Sequence, residues 1–325
     1  MSTTTRADHA LTEAAIAAAI APSIHNTQPW RWRIHDGVAD LHADPSRQLS
    51  ESDPDGRMMI TSCGTALHHA CVALAVEGYR AEIARMPESG HADHLARITV
   101  TGTEPGTPEA MRQLQTLEIR RTDRRPLSGT PVPDGVVGAL RSAAATYGIG
   151  LDLLDRGQVI DLAAAIDRAQ RSQVGDTAGH AELDAWTGGD LMPGTGVPDT
   201  NIPDHPPLST VPARDFGHFG SLTGTDTHDS AARYAILYGL DDEPGTWLRA
   251  GEALSAVWVA AIENGVALVP LSAAVESPAT RLELRRILSG VGYPCIALRL
   301  GVADPDQPTP PRTPRLPVEA TVSTD

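Results

Sequence analysis

Two short polar stretches hold the residues best able to do chemistry, and the first covers residues 21–32, APSIHNTQPWRW. Pro22 and Pro29 end a helix and favour extended or turn backbone at the residue before each of them. The polar side chains between the two prolines are Ser23, His25, Asn26, Thr27 and Gln28. At a helix end they offer neutral hydrogen-bonding groups to a polar, planar ligand. An ordinary capped loop is the alternative, and composition alone favours it.

The second stretch is RRTDRRP at residues 120–126, which places four arginines within six residues. Their guanidinium groups repel one another unless an anion lies between them. Guanidinium binds phosphate through paired hydrogen bonds, and the hydroxyl of Thr122 can add another. A solvated basic face is the alternative. The formal net charge of the chain is −15, so clustered arginine departs from the background and favours an anion-binding stretch.

Both stretches resemble parts of the nitroreductase superfamily. The pattern PSxxNxQPW in residues 22–30 is similar to the segment that these proteins place against FMN, and RRTDRR is similar to their Arg-Arg-Ser-x-Arg signature. The runs WLRAGEALSAVW, GYPCIALRLG and PRTPRLP resemble the C-terminal part of the same domain. Each half of the chain lacks the motif that the other half carries. The chain therefore resembles the Acg-type members, which are fused pseudo-dimers with one FMN site.

The resemblance implies a role for each matching residue. Ser23, Asn26 and Gln28 would contact the flavin ring and ribityl chain from the first half. Arg120 and Thr122 would lie at the phosphate and ribityl end, and Arg124 at the N1/C2 carbonyl edge. The remaining matches are the backbone around Leu271 and Ser272, facing the flavin N5, and the late basic pair Arg312 and Arg315. A solvated tail is the alternative for that pair, and His25 could touch the flavin or only its own loop.

Two functions follow from the resemblance. The first is an FMN-dependent oxidoreductase that uses NADPH or NADH to reduce a nitroaromatic, a quinone or a similar small molecule, with the flavin rather than a side chain carrying the chemistry. The second is a flavin-binding or sequestering protein with little or no turnover. A degenerate interaction module without flavin would require the arginine stretch to be accidental.

Composition disfavours several kinds of binding partner and excludes some kinds of catalytic site. The negative charge disfavours nucleic acid and an anionic membrane surface as partners. All 26 residues in the Lys+Arg count are arginine, which excludes a P-loop or Schiff-base lysine. Cys63, Cys71 and Cys295 are scattered among apolar residues, as expected of reduced thiols in the cytoplasm. The N-terminus has no apolar signal core, and no run is expected to approach a membrane span in length and hydropathy.

Hydrophobic periodicity and turn residues predict a mixture of helices and strands. The resemblance implies an α+β fold of nitroreductase type, with mixed or antiparallel sheets around a shared helical interface. We expect two halves, residues 1–105 and 106–325, and a monomer in solution. Residues 188–227 are rich in Gly, Pro, Asp and Thr and predict a lid, with a disordered insertion as the alternative. The predicted helices cover residues 8–21, 57–78, 108–120, 133–147, 156–172, 243–263 and 278–288, with another helical piece ending near residue 186. The predicted strands cover residues 30–34, 38–43, 79–86, 94–100, 149–154, 232–237 and 294–300, and residues 266–270 form a short apolar segment without a predicted structure.

Other reactive residues give weaker signals. His68 and His69 are adjacent in a predicted helix, where their side chains point apart, so packing or surface roles are favoured over a shared metal. His91 and His94 have a metal-like spacing, but the neighbouring sequence offers no third or fourth ligand, and no metal is predicted. The chain contains no Ser nucleophile elbow, no Gly-rich dinucleotide fingerprint and no HExxH.

Overall fold

The first sheet has five strands and is built mainly from the N-terminal part of the chain. The computed structural model describes residues 3–172, 175–225 and 228–324. The strands are β1 (Trp30–His35), β2 (Val38–Ala43), β3 (Tyr79–Arg85), β4 (His94–Thr103) and β9 (Val322–Thr324), in the order β3-β4-β2-β1-β9. The β1–β2 hairpin turns through Asp36 and Gly37, whose φ angles of 49° and 79° suit a tight hairpin turn. The pairing of β1 with β9 is parallel, and the other pairings are antiparallel.

The second sheet has four antiparallel strands from the C-terminal part of the chain. They are β5 (Gly150–Leu153), β6 (Arg233–Gly239), β7 (Ala267–Leu271) and β8 (Tyr293–Gly301), in the order β5-β6-β8-β7. Eight of the nine residues of β8 are buried, as its run of apolar side chains requires. This sheet, with the helices that cover it, encloses a hydrophobic core separate from the core of the first sheet.

Helices fill the space around the sheets. They are α1 (Thr3–Ala18), α2 (Arg57–Val76), α3 (Pro108–Ile119), α4 (Asp134–Ala145), α5 (Arg156–Ser172), α6 (Thr177–Trp186), α7 (Pro244–Glu263), α8 (Ala273–Glu276) and α9 (Pro278–Ile287). The α+β prediction is therefore confirmed. The short helix α8 and the strands β7 and β9 were not predicted. Because β9 pairs with β1, the end of the chain returns to the first sheet.

The two cores meet where α2 packs against α7, and glycine makes the close approach possible. A Cβ atom added at Gly64 would lie 2.1 Å from the carbonyl oxygen of Leu248, and one at Gly251 would lie 1.9 Å from that of Thr61. Any larger residue at either position would force the helices apart. This crossing fixes the distance between the two parts of the chain, which both contribute to the site described below.

The apolar composition of α2 serves the core. By length and hydropathy alone this helix could cross a membrane, which corrects the expectation that no run approaches a span. However, 83% of its most apolar window is buried inside the protein. The three cysteines are free thiols, as expected, and Cys63 of α2 is buried.

Residues 188–225, here called the insert, fold onto themselves with little regular structure. A 3₁₀ turn forms at Asp199–Asn201, and Val197, Ile202 and Phe216 make a small hydrophobic cluster. Residues 226–227, at the end of the predicted lid, lie outside the described residues. The insert therefore has a core of its own within the part of the chain that the structure describes.

Candidate functional site

Two neighbouring cavities, here called the larger and the smaller chamber, lie between the two parts of the chain. The larger chamber has a volume of about 600 Å³ and the smaller one about 160 Å³. The residues that line both chambers are Pro22, Ser23, Thr122 and Arg124. The first pair comes from the loop after α1 and the second pair from the arginine stretch. Residues of the two polar motifs therefore lie between the chambers, and the larger chamber has the size of a small-molecule site.

The loop after α1 adopts a strained backbone that its hydrogen bonds hold in place. His25, Asn26 and Gln28 all have left-handed φ angles, of 43°, 55° and 50°. The Asn26 side-chain amide donates to the carbonyl oxygens of Gly196, at 3.0 Å, and Pro314, at 2.9 Å. Strained non-glycine residues cluster at functional sites, where surrounding contacts fix them.

Gln28 lines neither chamber, although the resemblance implies that it contacts the flavin. Its side chain is buried, donating to the Gly194 carbonyl at 2.7 Å and accepting from the Leu316 backbone N–H at 3.0 Å. Its role in this structure is to join the loop to the insert and to the C-terminal tail.

The smaller chamber is lined by five arginines, three from the arginine stretch and two from the tail: Arg120, Arg121, Arg124, Arg312 and Arg315. None of them forms an ion pair with a carboxylate in residues 3–172, 175–225 and 228–324. Glu118 also lines the chamber, but it is exposed, and the contacts from Arg121 and Arg312 go to its backbone carbonyl.

The arginine side chains are held by neutral groups. Arg315 donates to the carbonyl oxygens of Ala19, at 3.0 Å, and Ile20, at 3.2 Å, just after the end of α1. Arg120 donates to Ile20 at 3.3 Å, and its guanidinium carbon lies 4.5 Å from the centre of the Trp258 ring. Carbonyl oxygens and an aromatic face orient these cations without neutralising them.

Burial and mutual repulsion make the smaller chamber electrostatically unfavourable without a ligand. Burial, with the nearby charges of Arg315 and Arg121, lowers the pKa of Arg120 to about 9. Burial and its arginine neighbours likewise lower the pKa of Arg315 to about 10. The Nε atoms of Arg120 and Arg121 have no hydrogen-bond partner among the described residues. These donors match an anion with several oxygens, such as phosphate.

Arg124 stands between the chambers. It donates to the Asn201 carbonyl at 3.0 Å, and its guanidinium carbon lies 5.5 Å from the centre of the Phe216 ring. Burial and the charge of Arg214 lower its pKa to about 10, against an opposite effect of Asp123. It therefore presents a fixed cation to both chambers.

One wall of the larger chamber is the end of β7 and the start of α8. Leu271 and Ser272 line it, as does Arg214 of the insert. Arg214 donates to Ser272 Oγ at 3.2 Å and forms an ion pair with Glu276 of α8. The backbone that the resemblance places at the flavin N5 is therefore tied to the insert by a charged contact.

The insert forms the opposite wall, which is largely apolar. The only two phenylalanines of the chain, Phe216 and Phe219, both line it. Four prolines join them: Pro203, Pro206, Pro207 and Pro212. An aromatic and proline-rich wall suits a planar ligand that stacks rather than one that needs many hydrogen bonds.

Sequence reasoning missed Trp258, Asn201, Arg214 and Glu276, which come from a core helix, the insert and an unpredicted helix. No local pattern marks them. It also grouped Arg125 with the neighbouring arginines, whereas Arg125 turns inward. It pairs with Asp123 at 2.8 Å and donates to the Pro308 carbonyl at 2.6 Å.

Of the two histidines with a metal-like spacing, His91 and His94, the structure places His94 beside other possible metal ligands. Ligand atoms of His94, Asp40 and His42 come within 4.8 Å of one another, so the structure supplies neighbours that the sequence did not show. Both oxygens of Asp40 are engaged: Arg97 donates to them at 2.6 and 3.0 Å, and His94 and His35 lie 2.9 and 3.1 Å away. The group is a saturated ion-paired network with a guanidinium where a metal would bind.

His68 and His69 are both buried in α2, which agrees with the packing alternative. The His68 Nδ1 hydrogen-bonds with Ser255 Oγ of α7 at 2.8 Å, across the helix crossing. Burial lowers the pKa of His68 to about 4, so this histidine is neutral at pH 7.

No family model matches the chain. It is 39% identical over 307 residues to Rv3131 of Mycobacterium tuberculosis, provisionally named an NAD(P)H nitroreductase, covering 90% of this chain and 86% of that protein. It is 32% identical over 305 residues to Acg of the same organism, which carries the same provisional name, covering 92% of this chain and 91% of Acg. A solved nitroreductase of Bacteroides fragilis with bound FMN shares 14% identity, with a TM-score of 0.38, over 60% of this chain and 90% of its own.

Rv3131 and Acg align with this chain over most of their length, and this similarity shows its family. The chain belongs to the nitroreductase family. Within that family it is a relative of Acg, as the motifs of the sequence indicate.

Proposed function

We propose that the chain is an FMN-dependent oxidoreductase that takes reducing equivalents from NADPH or NADH and passes them to a nitroaromatic, a quinone or a similar small molecule. The observation that carries this proposal is the smaller chamber, where arginines without a carboxylate partner, among them the buried Arg120, lie beside a chamber suited to a planar ring. An FMN phosphate would neutralise these arginines, and the flavin ring would occupy part of the larger chamber.

The residues that would hold FMN form two groups, one at its phosphate and one at its ribityl chain and ring. Arg120, Arg312, Arg315 and Thr122 would bind the phosphate. Ser23 and Asn26 would contact the ribityl chain and ring from the other side, as the unpartnered Oδ1 of Asn26 suggests. Bound FMN supplies the two-electron chemistry.

Residues of the chain would stabilise negative charge on the reduced ring and would affect access to the larger chamber. Arg124 places a fixed cation where negative charge on a reduced ring is stabilised. The Arg214–Glu276 ion pair would hold the insert against α8 at the edge of the larger chamber. Substrate and nicotinamide would reach the ring beside Leu271 and Ser272.

The visible absorption spectrum of the purified protein, with the ratio of flavin to chain, tests this proposal. We expect a flavin spectrum with about one FMN per chain, and bleaching when NADPH is added without oxygen. A ratio near two would refute the single composite site. A colourless protein that takes up no added FMN would refute flavin binding.

Sequestration of FMN with little turnover is the second candidate, and it is favoured by the many residues of the insert that line the larger chamber. Deleting residues 194–215 would be a poor test, since the carbonyls of Gly194 and Gly196 hold Gln28 and Asn26. The double substitution Arg214→Gln with Glu276→Gln removes the charged tie without leaving a buried charge unpaired.

If the insert limits access as a lid, that double variant should keep its FMN and oxidise NADPH severalfold faster than the native protein. The matched control is Arg168→Gln with Glu283→Gln, an exposed ion pair between α5 and α9. Unchanged NADPH oxidation in a variant that still holds FMN would mean that the insert does not block turnover.

We also propose that the chain works as a cytoplasmic monomer made of two nitroreductase-like halves, residues 1–105 and 106–325. Support comes from the two chambers, because one chain supplies both sides of them. Light scattering after gel filtration should give a mass near 34.3 kDa. A stable dimer would contradict the monomer.

A further inference from the structure

We propose that Arg299 of β8, with its partner Asp229, is a positioning residue that fixes Arg124 between the two chambers. The pair Arg299 and Asp229, here called the clamp, holds the backbone on both sides of Arg124. This inference rests on the proposed function, in which Arg124 supplies a cation beside the reduced ring. It adds a residue that lies far from the arginine stretch in sequence.

The Arg299 guanidinium reaches three acceptors at once. Its Nη1 atom donates to the Asp229 carboxylate at 3.0 Å. Its Nη2 atom donates to two backbone carbonyl oxygens, that of Asp123 at 3.2 Å and that of Arg125 at 2.9 Å. These two residues come immediately before and after Arg124. One planar group with several donors therefore fixes the backbone on either side of that arginine.

The segment that follows Arg124 also lies against the end of β8. Asp229 accepts a hydrogen bond from the Leu127 backbone N–H at 3.3 Å. A Cβ atom added at Gly301 would lie 2.5 Å from Leu127 Cδ1, so strand and segment are in close contact. The Arg124 side chain instead donates to the Asn201 carbonyl of the insert. The backbone is thus held by β8, while the side chain lines both chambers.

The hydrogen bonds of Arg299 show that it acts on the protein rather than on a ligand. Arg299 is among the residues that line the larger chamber, but it is only 4% exposed. Both of its terminal nitrogens are engaged by Asp229 and the two backbone carbonyls, and its Nε atom is buried. Its effect on the site therefore passes through the arginine stretch.

The ion pair of the clamp is costly to bury. Asp229 is 1% exposed, and burial raises its pKa even though Arg299 lies beside it. A buried ion pair contributes little to stability compared with an apolar pair of similar size. Positioning of the neighbouring backbone is a role that an apolar pair could not fill, because it has no donors for the two carbonyls.

Arg124 needs such support because its surroundings are unfavourable for a cation. Burial lowers the pKa of Arg124 to about 10, and the charges of Arg214 and Arg299 add to this effect. A cation in this environment gains free energy by moving toward water unless its backbone is held. The clamp keeps the cation in place before any ligand binds, which is the condition for electrostatic preorganisation.

Titration of the flavin-free full-length protein with FMN, followed by the quenching of flavin fluorescence, tests the clamp. Arg299→Met with Asp229→Asn removes it without changing the net charge or leaving a buried charge unpaired. We expect the Kd to rise about three- to tenfold. The matched control is Arg85→Met with Glu252→Gln, which removes an ion pair with a buried carboxylate, bonded at 2.7 and 2.8 Å, that lines neither chamber. Its Kd should stay within about twofold of native.

Arg299→Lys separates the position of Arg124 from the charge of Arg299. Lysine keeps a cation beside Asp229, but its single ammonium cannot reproduce a planar fork that reaches three acceptors. We expect this variant to weaken FMN binding about as much as the double variant does. An Arg299→Lys protein with the native Kd would show that the charge, and not the fork, matters, and the clamp would be wrong.

A double-mutant cycle with Arg124 shows whether the clamp acts through that residue. Once Arg124→Met has removed the cation, removing the clamp should weaken FMN binding by less than about a further twofold. The reduction potential of bound FMN should fall when the clamp alone is removed, because a displaced cation stabilises the reduced ring less. It should stay at the native value in the control. An equal loss of affinity with and without Arg124 would assign the clamp to general support of the fold and overturn the positioning role.

The outcomes distinguish the clamp from the proposed function. If native protein binds FMN and the clamp variant binds it equally well, the positioning role alone is refuted. If native protein binds no FMN, the proposed function is refuted and this inference with it. Should the double variant fail to fold, Arg299→Lys and its cycle with Arg124→Met decide, because lysine keeps the buried carboxylate of Asp229 paired.

Discussion

Two charged clusters in this molecule are built on opposite principles. In the cluster around Asp40, the carboxylate meets Arg97, His35 and His94 within hydrogen-bond distance. In the smaller chamber, Arg120 and four other arginines meet carbonyl oxygens and aromatic rings, and no carboxylate of the described residues pairs with them. The first cluster is electrostatically complete, whereas the second needs an anion.

The direction of the pKa shifts expresses this difference. Burial alone would raise the pKa of Asp40, but hydrogen bonds from Arg97 and His35 outweigh it and lower the pKa to about 2. For Arg120, burial and neighbouring cations act together and lower the pKa to about 9. The fold therefore favours the charged form of Asp40 and disfavours the charged form of Arg120. A protein retains buried, unpaired charge where a ligand supplies the partner.

The largest effect that we expect is the loss of FMN affinity when Arg120 is substituted. We expect Arg120→Ala to weaken FMN binding by one to two orders of magnitude, because a charge-assisted hydrogen bond contributes roughly 1.5–3 kcal/mol. Equilibrium titration with FMN measures this. Arg112→Ala, at an exposed arginine of the preceding helix that pairs with Glu263, should leave the affinity unchanged. FMN retention at the native level in Arg120→Ala would remove Arg120 from the site.

The Asp40 cluster should respond in stability and not in binding. Asp40→Asn removes the charge that Arg97 and His94 share, and we expect the free energy of unfolding at pH 7 to fall by about 1–2 kcal/mol. FMN affinity should not change. Urea denaturation of both proteins, with an FMN titration beside it, measures the two effects.

The pH dependence of that difference follows from the lowered pKa of Asp40. The pKa of this carboxyl is about 2 in the folded protein and 3.8 in the unfolded chain. Its contribution to stability is therefore complete above pH 3.8. The contribution is lost as the pH falls toward 2. The stability gap between native protein and Asp40→Asn should therefore narrow between pH 4 and pH 2. A gap that stayed constant would show that the charge of Asp40 does not stabilise the fold.

Local patterns in the sequence were sufficient for much of the fold. The Asp36-Gly37 turn between alternating apolar residues marked the first hairpin, and periodic apolar residues marked α2 and α7. These elements depend on neighbours in sequence, which is why propensity and spacing describe them well. The strand β9 depends on β1, almost three hundred residues away, and no local pattern requires it.

The candidate site shows the same division. The arginine stretch was visible because like charges cluster there against an acidic background. The inward turn of Arg125 was not, since its carbonyl partner at Pro308 lies in the tail. Arg214 and Asn201 were missed because they belong to the insert, where Gly and Pro fix local turns but distant contacts decide which side chains face the cavity.

The smallest effect that we expect is stabilisation of the folded protein by inorganic phosphate, which tests the smaller chamber without flavin. If the smaller chamber lacks only an anion, inorganic phosphate at several times its Kd should stabilise the folded protein by about 1 kcal/mol, since a ligand that binds only the folded state stabilises it by mass action. Thermal unfolding should then shift upward by about 2–4 °C relative to chloride at equal ionic strength. Asp40→Asn should keep this shift and Arg120→Ala should lose most of it. Phosphate also stabilises proteins generally by exclusion from their surface, so an equal shift in Arg120→Ala would assign the effect to the solvent and would leave the arginine chamber without evidence for its anion.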